Sequence, residues 1–205
     1  MSSLLTTSIR KTLLSKGVDA NRNYGFHWNK GGSSADPCAQ TYHGPKAWSE
    51  IETQNVRNYI LKRKGEWIFY NSIHSYSQLI ILPWSYTTSR PSNFNVLNEV
   101  ADKGTKALKM VHGKTYKVIQ QSSSKHSILY FSKKVGQGSK ALYPASGTSM
   151  DWALGEAKIP YSYTIELRDN GTYAFCAPPQ EIIPTAQETW AFHVAVLRDI
   201  MNRTG

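Results

Sequence analysis

The residue best placed to do chemistry is Glu166, within residues 161–175, YSYTIELRDNGTYAF. It stands near the end of Ser162-Tyr163-Thr164-Ile165-Glu166-Leu167, an aromatic and β-branched run that reads as a short, largely buried strand. Arg168-Asp169-Asn170-Gly171 ends the strand, with Asn-Gly supplying the positive φ of a tight turn. A carboxylate at the end of a core strand is costly unless it faces a cleft or has a partner. Apolar walls also push a carboxyl pKa upward, toward the range useful to a general base. The plainer alternative is a structural pair with Arg168 or a lysine, and the strand alone leaves both open. Asn21-Arg22 is a second candidate, because a guanidinium fork beside an amide donor fits the two oxygens of a carboxylate. Taken by itself, that pair is better read as an Asx-turn with a surface arginine. His74 is a third, delivered to the tip of an apolar strand.

The elements that must hold these residues can be traced along the chain. Ser49-Glu50-Ile51-Glu52 has the spacing of a capping box and opens a helix to about Lys64, with Val56, Tyr59 and Ile60 inward. Residues 67–73 form a strand leading to His74, and Leu79-Ile80-Ile81-Leu82-Pro83-Trp84 a second. A helix from about Phe94 to His112 repeats apolar residues at three and four: Leu97, Val100, Ala101, Leu108 and Val111. A short helix precedes the strand of Glu166. A second capping box, Thr185 to Glu188, opens a last helix to about Asn202 with Trp190, Val194, Leu197 and Met201 inward. Strands alternating with amphipathic helices predict an α/β domain whose mixed sheet is covered on both faces.

A chain of 205 residues is long enough for one domain with a real core. No run approaches the ~20 apolar residues of a membrane span. The net charge of +10 comes from scattered lysines and arginines, with no arginine-rich or aromatic-stacking module beside them. It reads as a solvated basic surface, and nucleic acid is not an expected partner. Cys38 and Cys176 give neither zinc spacing nor a disulfide framework. The N-terminus, MSSLLTTSIRKTLLSKG, has no continuous apolar stretch and is a poor secretory signal.

Four segments in order, GVDANRN, SIHSYSQLIILPW, YPASGTSMDW and YTIELRDNGTYAF, with PTAQETW closing, resemble the zinc carboxypeptidases of the A/B type. The resemblance covers roughly residues 17–118 and 135–201 and implies the C-terminal part of that family's mixed sheet. It implies that His74 is a zinc ligand and Glu166 the glutamate that activates water. It further implies that Asn21 and Arg22 grip the substrate's terminal carboxylate, that Tyr143 folds over bound substrate, and that Tyr76 and Phe175 line the cleft. Met150 falls at the position that sets specificity at the base of the pocket. An apolar, adaptable side chain there suits aliphatic or aromatic terminal residues, and Gly138 leaves the pocket roomy. The implied cofactor is zinc, the implied partners are peptide or protein C-termini, and the implied setting is an extracellular monomer.

The chain also departs from the family pattern. Two further zinc ligands are expected from a His-x-x-Glu motif upstream of GVDANRN, yet none of His27, His43, His74, His112, His126 and His193 has glutamate at the third following position. One histidine cannot hold a catalytic zinc tightly. Residues 1–16 form an atypical N-terminal segment ahead of a partial peptidase domain at 17–205. Arg10 is the counterpart of an oxyanion-stabilising arginine at shortened spacing. Cys38 loses its family partner and becomes a free thiol. Residues 119–134, IQQSSSKHSILYFSKK, interrupt a segment that is continuous in relatives, like sequence read through a splice junction. Two outcomes follow: a peptidase completed by other polypeptide, or a catalytically silent binder of C-terminal peptides. A sheet lacking some of its strands also bares an edge and an apolar face, and poor solubility is expected.

Overall fold

The computed structural model describes residues 17–120 and 144–205. Among them, four strands form one mixed sheet in the order β1-β4-β2-β3: β1 Phe69–Ser75, β2 Leu79–Leu82, β3 Lys117–Gln120 and β4 Tyr161–Leu167. β1 runs parallel to β4, β2 antiparallel to β4, and β3 parallel to β2. Among the described residues four α-helices accompany the sheet: α1 Ile51–Leu61, α2 Phe94–His112, α3 Ser149–Gly155 and α4 Ile182–Thr204. The expected α/β architecture, with helices on both faces of a mixed sheet, is what forms. Ile119 and Gln120, read from sequence as the start of an interrupting segment, are the end of β3, opposite Ile81 and Leu82. The rest of that segment, with Gly138, Tyr143 and Arg10, lies outside the described residues.

Alternation along the strands makes two unlike sheet faces. Tyr161, Tyr163 and Ile165 of β4 join Ile80 and Leu82 of β2 in the main core, against Leu97, Val100, Ala101 and Leu108 of α2 and Phe192, Val196 and Ile200 of α4. The two helices approach closely at Gly104, where an added Cβ would stand 2.5 Å from the Phe192 ring. Gly113, at φ 74°, ends α2 in the left-handed conformation.

Helix starts and faces differ from the expectations in instructive ways. α1 begins after Glu50, not Ser49: the Ser49 hydroxyl donates to Glu50 Oε1 at 2.6 Å and accepts from Asn23. The fully buried Asn23 takes over the capping work, its Oδ1 accepting from Glu50 N and Thr53 Oγ1. Of the predicted inner face, only Ile60 is buried; Val56 and Tyr59 are exposed. α4 starts at Ile182, three residues before the expected cap. Glu188 is no cap at all but a fully buried partner of Arg168. Phe192, Val196 and Ile200 face the core, whereas Trp190, Leu197 and Met201 face outward.

Candidate functional site

The site lies on the other sheet face, at the C-terminal ends of β1 and β4. His74 stands directly opposite Glu166 in the parallel register, and Ser72 opposite Thr164. Residues opposite one another share a face, so the imidazole and the carboxylate are cross-strand neighbours. Leu79 is opposite Glu166 on the antiparallel side, which puts an apolar wall beside that carboxylate. Arg168, the alternative partner weighed for Glu166, is bound by Glu188 and Glu181 instead. These contacts hold the guanidinium firmly protonated, its pKa raised by the hydrogen bonds it donates to Glu188 despite desolvation.

A ladder of hydroxyl groups orients this pair. Ser72 Oγ is 2.8 Å from His74 Nε2, a contact of the kind that fixes the ring of a metal-binding imidazole. Ser149, the first residue of α3, donates its hydroxyl to Ser72 at 3.3 Å, and its backbone N–H donates to Asn21 Oδ1 at 2.9 Å. Tyr70, one step back along β1, is hydrogen-bonded to Ser149 and Tyr24; burial raises the pKa of both phenols and keeps them neutral donors. Asn21 and His74, more than fifty positions apart in sequence, are thus joined through Ser149 and Ser72.

Asn21 and Arg22 occupy a single 3-10 turn, Ala20–Arg22, whose entry is capped by Asp19. With its oxygen committed to Ser149, the Asn21 amide is left to act as a donor, as a carboxylate ligand needs. Arg22 is nearly buried; its Nη1 donates to Asn21 O at 2.8 Å and its Nε to Gly32 O at 3.3 Å. Gly147, at φ 72°, lets the turn before α3 pass against the Arg22 carbonyl, where any side chain would collide. Tyr24 N donates to Gly147 O at 3.0 Å and completes this junction.

Met150 is buried with Leu79 and Ile81 on the same sheet face, packed by Ile119. Ser162 fastens it by donating to Met150 O at 2.8 Å. Its neighbour Asp151 is fully buried and accepts from the backbone N–H groups of Ser85 and Tyr86 at 2.8–3.2 Å. Burial pushes the Asp151 carboxyl up to about 7 despite these bonds. Tyr76 and Phe175 form an edge-to-face pair with ring centroids 5.1 Å apart, just beyond the strand ends. Both cysteines are exposed and unbridged.

The structure therefore brings Asn21, His74 and Glu166 together, with Met150 packed on Leu79 and Ile81 of the same sheet face and the Tyr76–Phe175 pair just past the end of β1. Ser72, Ser149, Asn23 and Asp151 escaped the sequence reading. Each left a signal by adjacency, since Asn23 follows Arg22, Ser149 and Asp151 flank Met150, and Ser72 stands two residues before His74. Among the described residues no group of three or more His, Cys, Asp or Glu side chains could hold a metal ion. A single imidazole is too few donors for a catalytic zinc, so the described residues do not by themselves fit the ion.

Comparison with known proteins places these features. The family model described as zinc carboxypeptidase matches residues 5–192. Carboxypeptidase B of Astacus astacus is 41% identical over 175 residues, covering 85% of this chain and 52% of that protein. Carboxypeptidase A1 of Bos taurus is 39% identical over 197 residues, covering 96% of this chain and 42% of that protein. Bovine thrombin-activatable fibrinolysis inhibitor, solved in complex with tick carboxypeptidase inhibitor, superposes with a TM-score of 0.79 at 32% identity, covering 96% of this chain and 61% of that one. The chain spans about half the length of the curated relatives it matches.

Proposed function

This chain belongs to the zinc carboxypeptidase family, and we propose that it carries the substrate-binding and proton-transfer half of a carboxypeptidase site. The observation that supports this most is the register pairing of His74 with Glu166, tied through Ser72 and Ser149 to Asn21. Asn21 and Arg22 take the terminal carboxylate of a peptide, which restricts cleavage to the last peptide bond. Met150 ends the side-chain pocket and favours apolar terminal residues, with Tyr76 and Phe175 as walls and Tyr143 closing over the substrate. Glu166 takes the proton from the attacking water. His74 is one ligand of the family's zinc, and polypeptide outside the described residues supplies the rest. The completed enzyme acts outside the cell as a monomer on peptide and protein C-termini. Among the described residues no helix is long and apolar enough to cross a membrane.

The donor shortage favours a second reading, a protein that binds C-terminal peptides without cleaving them. One pair of measurements separates the two: zinc per chain after dialysis against a weak chelator, and calorimetric binding of a peptide ending in leucine as its free acid and as its amide. One zinc per chain with release of leucine supports the peptidase. Negligible zinc, with the acid bound at least tenfold more tightly than the amide, supports the binder. Equal affinity for acid and amide would remove the carboxylate-gripping role of Asn21 and Arg22 from both.

A further inference from the structure

Asparagine stands two residues before a serine or threonine, with no proline between, at Asn170-Gly171-Thr172 and at Asn202-Arg203-Thr204. In an exported protein this motif accepts an N-linked oligosaccharide where it lies on the surface. The hydroxyl takes part by reaching back to the asparagine amide, so the backbone must bring the two side chains together. The two copies share a sequence motif and differ in conformation.

Asn170 and Thr172 are both exposed in the turn that follows β4. Gly171 between them has φ 106°, which no helix contains. In turns of this kind an asparagine side chain often bonds the backbone two residues on. Here Asp169 does so: its Oδ1 accepts from Gly171 N at 2.9 Å and its Oδ2 from Tyr173 N at 2.7 Å. With the turn tied by Asp169, the exposed Asn170 amide can be engaged without loosening it. Asn202 is exposed too, but it lies in the last turn of α4. Residues two apart on a helix do not face each other, which turns the Thr204 hydroxyl away from the Asn202 amide. That hydroxyl donates instead to Ile200 O at 3.1 Å.

We infer that Asn170 is an N-glycosylation site and that Asn202, with the same motif, is not. In the transfer, Asn170 Nδ2 attacks the anomeric carbon of a lipid-linked diphosphate oligosaccharide. A C–N bond forms, the C–O bond to the diphosphate breaks, and the amide gives up one proton. The acceptor stands beside the Tyr76–Phe175 pair: a Cβ added at Gly171 would be 3.5 Å from the Tyr76 ring. Tyr173 and Phe175, 47% and 38% exposed, follow within five residues. An oligosaccharide here adds a bulky hydrophilic group next to apolar surface that otherwise lies bare. The inference rests on the extracellular setting of the proposed function and on none of its chemistry.

The test is export of the full chain from cultured animal cells behind a leader and a short linker. The linker carries an acceptor motif of its own, whose oligosaccharide proves entry into the export pathway. Mass spectrometry of intact glycopeptides then locates every sugar. The expected result is an oligosaccharide on Asn170 in at least tenfold excess over Asn202, abolished by Thr172→Ala and kept by Thr172→Ser. Both substitutions alter an exposed side chain, and matching circular dichroism spectra verify that folded chains are being compared. A glycosylated linker with a bare Asn170 overturns the inference, and so does equal occupancy of Asn202. A bare Asn170 in a chain that still binds peptide acid over amide sinks the modification site and leaves the proposed function standing. A glycosylated Asn170 in a chain blind to that difference does the reverse.

Discussion

The two faces of the sheet are built from the same strands and held by different physics. On β4, Tyr161, Tyr163 and Ile165 enter an apolar core shared with α2 and α4, where volume decides what fits. One residue out of step, Ser162, Thr164 and Glu166 lie on the opposite face, where Ser162 bonds to α3. There, directional bonds set the positions: Ser162 to Met150 O, Ser149 to Ser72, and Ser149 N to Asn21. Close packing tolerates little change in volume but is indifferent to direction. A hydrogen-bonded ladder can place an imidazole beside a carboxylate and still leave room for a ligand. The division leaves one side of the sheet close-packed and the other polar and directionally bonded.

The largest expected effect breaks the apolar face. Phe192→Ala removes a fully buried ring at the α2–α4 crossing, and should cost about 3–5 kcal/mol of stability. Chemical denaturation measures it, and a loss below about 1 kcal/mol would mean that the crossing collapses into the space. Close behind comes Arg168, at the seam between the faces. Arg168→Met leaves the buried Glu188 to His112, whose Nδ1 is 3.2 Å away, at an expected cost of about 3–5 kcal/mol. Adding Glu188→Leu should recover most of that loss, because an apolar pair of similar volume needs no partner. Failure of the double variant to recover would show that the fork onto Glu181 and Glu188 also fixes backbone geometry.

How much of this was legible in the sequence differs between the faces as well. The strand of Glu166 reads correctly, because aromatic and β-branched residues recur along it and an Asn-Gly turn follows close behind. α2 reads correctly too, since it has one apolar stripe and an end marked by Gly113. α4 does not. Trp190, Leu197 and Met201 repeat at helical spacing as convincingly as Phe192, Val196 and Ile200, and periodicity cannot rank two apolar faces. Its capping box fails for a related reason, since Glu188 is claimed by an arginine twenty residues away. The candidate site was visible through family resemblance at Asn21, His74 and Glu166, but its supports were not. Ser149 meets Asn21 across 128 positions, and local patterns carry no record of such a contact.

Asp151 sharpens the comparison on the polar face, where burial meets a titratable group. Its carboxyl is held at about 7 against an ordinary 3.8, so between those values the folded chain binds a proton that the unfolded chain releases. Its contribution is fully present below about pH 4 and is lost as pH rises through about 7. Stability should therefore fall with pH across that window, by at most ~1.4 kcal/mol per pH unit from this group. Asp151→Asn should flatten the slope, as measured by denaturation at pH 4.5, 5.5 and 6.5. An unchanged slope would assign the pH dependence elsewhere.

The smallest expected effect tests whether the ladder positions the site or merely fills space. Ser149→Ala keeps the backbone N–H that binds Asn21 and removes only the hydroxyl that reaches Ser72 and Tyr70. The expected stability cost is about 0.5–1.5 kcal/mol, the usual net worth of a hydrogen bond. If the ladder orients the imidazole, the carbon-bound proton resonances of His74 should shift in the nuclear magnetic resonance spectrum while those of His112, at the end of α2 on the other sheet face, stay fixed. A stability loss with an unmoved His74 would show that Ser72 holds the ring without help, and the ladder would shorten to the Ser72–His74 contact. A shift of His74 with almost no loss of stability would be the more informative result, because it would separate positioning from folding on the face where the two are built from the same bonds.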